Sequence, residues 1–165
     1  MTSVLIIGAG GIGGLLTDSV SRAIAFSGLS EQCGATTLTL MDGDIVEERN
    51  LPHQRFGASD VGKPKVEVLV RQLRDVGVTV ERGVVLKPIA DNFSADTDLS
   101  EYDLVVVAVD RDEPRRLVHD NAKAWLDLRC RGDGFLMWSH LDDIRVLNMF
   151  PPLPDGESAS CQLEE

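Results

Sequence analysis

Four groups of residues have the types and spacing for chemistry on a phosphate. The first is the turn Gly8-Ala9-Gly10-Gly11-Ile12-Gly13, which follows the apolar run Val4-Leu5-Ile6-Ile7. A strand that breaks into G-x-G-x-x-G and opens a helix offers unpaired N–H groups and the positive end of the helix dipole to an anion. Gly8 permits the tight turn, Gly10 lets backbone approach a ligand, and Gly13 lets the helix pack close to the strand. The second group is Asp42 with Asp44, at the end of the run Thr37–Met41. An acid at the tip of a second strand hydrogen-bonds ribose hydroxyls. The third is Lys65 in Gly62-Lys63-Pro64-Lys65, where a cation works against the dipole of the helix it opens, so that a phosphate chain would give it a reason to be there. The fourth is Asp110, closing Val105-Val106-Val107-Ala108-Val109. Ligands in open α/β sheets bind at such strand tips, and an acid beside a triphosphate is a natural Mg2+ contact. Gly10, Asp42, Lys65 and Asp110 are therefore expected around one crevice.

The elements that must position these groups alternate between the two backbone periods. Strands are expected at Val4–Ile7, Thr37–Met41 and Leu104–Val109, the last buried on both faces as in a parallel sheet. Gly11 to about Phe26 reads as a helix with Leu15, Leu16, Val20 and Ile24 on one face, and Lys63–Asp75 as a second with Val66, Leu69, Val70 and Leu73 inward. Gly28–Ala35 reads as a loop, Val78–Val80 and Val84–Leu86 as strand around Gly83, and Asp91–Glu101 as an acidic linker. Glu113–Leu126 reads as a third helix, Asp127–Cys130 as a short strand, and Phe135–Ser139 with Ile144–Phe150 as a hairpin turning at Leu141-Asp142-Asp143. The fold class is α/β: a Rossmann-like, doubly wound, mostly parallel sheet with a C-terminal antiparallel hairpin. Residues 1–150 form the nucleotide-binding domain and 151–165 a loose tail rich in proline, serine and acids.

Composition narrows the partners. A length of 165 residues suits one domain, and 43% hydrophobic content supports an ordinary core. A net charge of −11 argues against a nucleic-acid duplex or an anionic membrane as main partner. No apolar run approaches the length of a membrane span, and no secretory leader is visible, so a cytoplasmic location is expected. The 3 cysteines, Cys33, Cys130 and Cys161, are widely spaced and include no C-x-x-C pair, which suits free thiols in a reducing compartment and gives no structural zinc site.

Taken in order, the motifs resemble the E1-like activating enzymes, the adenylyltransferases of the ThiF, MoeB and HesA type. The matching residues are Gly8-Ala9-Gly10-Gly11-Ile12-Gly13, Asp42-Gly43-Asp44-Ile45-Val46, Asn50-Leu51-Pro52-His53-Gln54, Gly62-Lys63-Pro64-Lys65, and Asp110 with Arg115 after it. Phe150-Pro151-Pro152 and Ser160-Cys161 resemble a further family segment. The resemblance implies ATP with Mg2+ in the crevice, and attack on the α-phosphate by the C-terminal carboxylate of a ubiquitin-like or ThiS/MoaD-like carrier protein ending in Gly-Gly. It implies Asp42 on the ribose, Asn50 and Lys65 on phosphates, Asp110 organising Mg2+, and a homodimer. Gly11, Asp44, His53 and Gln54 fall within the motifs that would hold the nucleotide, and Cys161 is a thiol candidate for acyl or sulfur transfer.

The sequence departs from the family in three places. His53 stands where the family has arginine, and Arg55, two residues on, becomes the candidate to reach the phosphates. Arg111 replaces the asparagine that follows the family's catalytic aspartate. The sequence starts at its first strand, whereas several members have an N-terminal helix donating an arginine to the partner subunit. It reads as a short stand-alone member or, equally, as a truncated or degenerate one. Two alternatives stay open: a degenerate, non-catalytic interaction protein of this descent, and an NAD(P)-binding module on the same fold.

Overall fold

The computed structural model describes residues 1–131 and 134–143. Ten elements follow in chain order: β1 (Thr2–Ile7), α1 (Gly11–Phe26), α2 (Leu29–Cys33), β2 (Thr36–Met41), α3 (Lys65–Asp75), β3 (Val84–Ile89), β4 (Leu104–Val107), α4 (Asp112–Asn121), β5 (Trp125–Arg131) and β6 (Gly134–Ser139). The six strands form one sheet in the order β3-β2-β1-β4-β5-β6. The first five in space are parallel, and β6 runs antiparallel to β5. This is the doubly wound dinucleotide-binding order, and it reverses between β1 and β4, where ligands bind beyond the carboxyl ends. No described helix is long and apolar enough to cross a membrane.

The central strands are apolar on both sides because both sides are covered. On one face α1 and α3 pack Ile24, Val66, Leu69, Val70 and Leu73 against Leu38, Leu40 and Leu86. Farther along that face Ile12 and Leu16 of α1 meet Ile6, Val106 and Leu128. The opposite face is closed by Val118 of α4 and by Phe93, Leu99 and Tyr102 of the linker, over Leu5, Ile7, Val105 and Val107.

Five expectations need correction. Gly28–Ala35 is not all loop, since α2 occupies most of it. Val78–Val80 forms no strand: β2 spends its six ladder positions on Val84–Ile89, so Val78 is left to pack in the core and Val80–Arg82 makes a single 3-10 turn. Helix α3 starts at Lys65, because the Lys63 backbone is already committed, its N–H donating to Asp60 and its carbonyl accepting from Val46. Helix α4 ends at Asn121, since β5 must begin at Trp125 to pair with Val105. Leu15 is 56% exposed and not part of the inward stripe of α1. The antiparallel extension is built by β5 with β6, while the expected strand Ile144–Phe150 and the tail 151–165 lie outside the described residues.

One contact sets the position of α1. A Cβ on Gly13 would overlap the carbonyl oxygen of Gly8. Gly8 itself has φ +101°, and a Cβ there would lie 2.6 Å from the Ala108 carbonyl oxygen. Replacing Gly13 by Ala gains about 1 kcal/mol of helix propensity, but overpacking a rigid backbone contact costs about 1–3 kcal/mol. Gly13→Ala is therefore expected to lower the urea midpoint of unfolding; an unchanged or raised midpoint contradicts this packing.

Candidate functional site

The glycine turn leaves β1 between the tips of β2 and β4. The Gly8 N–H donates to Met41 at 2.9 Å and the Ala108 N–H donates to Ile7 at 2.9 Å, so the ladder continues to the lip of the crevice. Helix α1 then begins with Gly10 as its N-cap, with no side-chain cap and no acid in its first turn. No residue of its own first turn offsets its positive end. Only the Gln54 Nε2, at 3.9 Å, comes near where a Gly10 Cβ would lie, and the Gly11 position is similarly open.

Asp42 ties this turn down. One of its carboxylate oxygens accepts from the Ala9 N–H at 2.6 Å, the other from the Asp44 N–H at 2.8 Å. Each oxygen keeps acceptor capacity for a ligand hydroxyl. From there the chain builds a platform. Val46 donates to Lys63 at 2.8 Å, Gly62 to Val46 at 2.8 Å, and Lys65 to Asp44 at 3.0 Å, backbone to backbone. Lys65 is buried at 6% exposure, and its Nζ donates to Asp44 Oδ2 at 2.7 Å, while the Asp44 side chain is 68% exposed. A buried ammonium with one exposed carboxylate as partner is poised at the edge of solvent, unlike an ordinary solvated helix lysine. Asp60 holds the far end of the platform, accepting from Gly57 at 3.0 Å and from Arg71. Those two donors hold its carboxyl below the usual carboxylate range.

The Asn50–Arg55 segment lies beside the glycine turn, at a cavity that Asp42, Lys65 and Asp110 do not line. Asn50 is buried and folds its own turn, its Oδ1 accepting from the Glu47 N–H at 2.8 Å. That turn presents His53, Gln54 and Arg55 to a cavity of about 210 Å³ shared with Ala9, Gly10 and Gly11. The Oε1 of Gln54 is buried there without a hydrogen-bond partner among the described residues. An orphaned polar atom beside an open glycine backbone fits a polar ligand. Arg55 is turned along the cavity wall, its Nη1 2.7 Å from Asp18 Oδ2 of α1, and Asp18 also holds Arg22. Asp110 follows β4, exposed, with no hydrogen bond or ion pair among the described residues. Two strand spacings, about 10 Å, separate the tips of β2 and β4 that carry Asp42 and Asp110. Cys130 is half-buried on β5 opposite Phe135, and Cys161 lies outside the described residues.

A charged cluster behind the β4 tip is absent from the sequence reading. Asp127 is fully buried and takes Arg115 on one oxygen and Arg129 on the other, the latter at 2.8 Å. His119 Nε2 lies 3.2 Å from Asp127 Oδ2, and its ring stacks on Trp125 at 3.9 Å. The signal was available: Trp125, Asp127 and Arg129 alternate, which puts an acid and a base on one face of a strand. Arg115 matched a motif, but its buried partner lies on another element.

Sheet order and the glycine turn define an α/β domain of the doubly wound class. Residues 1–133 match the ThiF family, and the chain belongs to it. It is 32% identical over 162 residues to "Adenylyltransferase and sulfurtransferase uba4" of Neosartorya fischeri, covering 94% of this chain and 27% of that protein. It is 26% identical to "Probable adenylyltransferase/sulfurtransferase MoeZ" of Mycobacterium tuberculosis, over 96% of this chain and 41% of that one. The crystal structure of E. coli MccB with ATP superposes with a TM-score of 0.60 at 27% identity, over 80% of this chain and 38% of the other. The chain thus spans well under half the length of these relatives.

Burial, followed by the charges of Arg129 and Arg115, holds the His119 pKa below its ordinary 6.5. Asp120 and Asp112 pull the other way without reversing this. A histidine with a lowered folded pKa costs stability as pH falls, since the unfolded chain takes up a proton below about 6.5 while the folded chain does not. His119→Phe keeps the stack on Trp125 and removes this term. The variant is expected to gain on the wild type in urea midpoint between pH 7.5 and pH 5.5, and a wild type that gains on the variant contradicts a neutral His119.

Proposed function

We propose that this chain is the nucleotide-binding domain of an ATP-dependent adenylyltransferase that activates the C-terminal carboxylate of a small carrier protein. The observation that carries the reading is the tie of Asp42 to the glycine turn, with Lys65 paired to nearby Asp44, on a sheet whose order puts the exit of β4 and Asp110 across the β1/β4 switch point. In this reading the open N–H groups at Gly10–Gly13 receive a phosphate and Asp42 holds the ribose. Lys65 exchanges its contact with exposed Asp44 for a phosphate oxygen, and Gln54 pairs its buried Oε1 with a donor on the nucleotide. Asp110 is the free acid to hold Mg2+, which when bound neutralises charge on the leaving phosphates. A carboxylate oxygen attacks the α-phosphorus, the bond from that phosphorus to the bridging oxygen of the β-phosphate breaks, and pyrophosphate leaves. No proton transfer is required, so catalysis is positioning and charge neutralisation.

The carrier is a ubiquitin-like or ThiS/MoaD-like protein ending in Gly-Gly, the working form a homodimer, and the compartment the cytoplasm. The names of the uba4 and MoeZ relatives and the ATP bound to MccB support this reading. A second reading has one specific observation behind it: Arg55 is tied to Asp18 and His53 replaces the expected arginine. A domain so arranged would bind nucleotide and partner without turnover.

ATP–pyrophosphate exchange with a panel of small β-grasp proteins ending in Gly-Gly decides between them. Exchange that is lost at least about a hundredfold in Asp110→Ala supports the enzyme. Stabilisation by ATP with Mg2+ but no exchange with any carrier selects the non-catalytic reading, and stabilisation by NAD alone removes both.

A further inference from the structure

We propose that Arg115 and Asp127 are positioning residues that set the backbone of Asp110 for the reaction, a role that rests on the adenylyltransferase reading. Asp110 has no side-chain partner among the described residues, so its placement depends on how its backbone is held. On the strand side the Ala108 N–H is in the ladder with Ile7 and the Ala108 carbonyl abuts Gly8. On the helix side α4 starts at Asp112. Between these anchors is the carbonyl of Val109, one half of the peptide group that leads into Asp110. That carbonyl accepts from Nη2 of Arg115.

Arg115 is itself fixed. It is 6% exposed, and its Nη1 donates both to Asp127 Oδ1 and to the Leu128 carbonyl at 3.2 Å. One planar fork therefore joins the exit of β4 to the middle of β5. Asp127 stands beside Val107 in the sheet, level with the last ladder position of β4. It also carries Arg129, which lies over the Trp138 ring at 4.8 Å, and it faces the stacked His119. Burying an ion pair seldom adds stability over apolar residues of like volume. What the pair supplies is geometry: an apolar side chain at 115 could pack there but could not hold the Val109 carbonyl. Lysine would keep the charge but lose the fork.

The expected effect falls on rate more than on nucleotide binding, because Arg115 holds the carbonyl that leads into Asp110, whereas Asp42 and Lys65 are held by partners of their own, Ala9 and Asp44. A displacement of about 1 Å at a reacting group can cost on the order of a hundredfold. Arg115→Lys is expected to lower kcat for ATP–pyrophosphate exchange at least about tenfold with KM for ATP changed less than about twofold. On an Asp110→Ala background the same substitution should cost nothing further, since its effect runs through Asp110. Backbone amide order parameters from 15N relaxation give an independent readout: Arg115→Lys should lower them at 110–113 and leave Leu5–Ile7 unchanged. Asp127→Asn should reproduce this pattern. If the wild type shows no pyrophosphate exchange, the enzyme reading fails, while the amide measurement still decides whether Arg115 holds this loop. Losses that multiply on the Asp110→Ala background, a rise in KM alone, or unchanged amides at 110–113 overturn the positioning role.

Discussion

Helix α1 can touch strand β1 only because residue 13 has no side chain. Any Cβ there would strike the Gly8 carbonyl. Because the two elements meet, the first turn of α1 opens directly onto the β1/β4 switch point, with no side-chain cap and no acid of its own. Every other feature of the candidate site is arranged around that fixed positive end. Asp42 clamps the turn from β2, the Ala108 carbonyl presses on it from β4, and the Asn50–Arg55 segment walls its outer side.

Charge is distributed around this turn in pairs that differ in how readily a ligand could open them. Lys65 is buried, but its partner Asp44 is exposed, so the pair can exchange a carboxylate for a phosphate at little desolvation cost. In the Arg55–Asp18 pair it is the cation that is exposed; such a pair is worth at most about 1 kcal/mol, and a multiply charged anion could draw the arginine away. Arg115 and Asp127 are both buried, and breaking that pair would strand a charge in the core. The first two pairs suit binding, and the third suits structure.

The fold was largely legible because the sheet strands are apolar runs ended by glycine or aspartate, a pattern that local periodicity captures. Val4–Ile7 and Thr37–Met41 lie within strands of the sheet, and the glycine turn lies where its spacing puts it. What local pattern could not show was competition for partners. Val78–Val80 has strand-like composition but no free ladder to join, and the helix expected to reach Leu126 gives way to a strand that has to meet Val105. At the site, the types of Asp42, Lys65 and Asp110 were readable from position in the chain. Their partners were not, because the Asp18–Arg55 and Arg115–Asp127 pairs each span separate elements. Membership of the ThiF family agrees with the order of the motifs.

In the proposed reading, a nucleotide triphosphate binds at the uncapped glycine turn. Amide chemical-shift mapping during titration with ATP and Mg2+ tests it most directly. Saturable shifts are expected at Gly10–Gly13, at Lys65 and at the Gln54 side chain, with no comparable response to NAD. Shifts confined to other surfaces, or a glycine turn that responds to NAD and not to ATP, would contradict it.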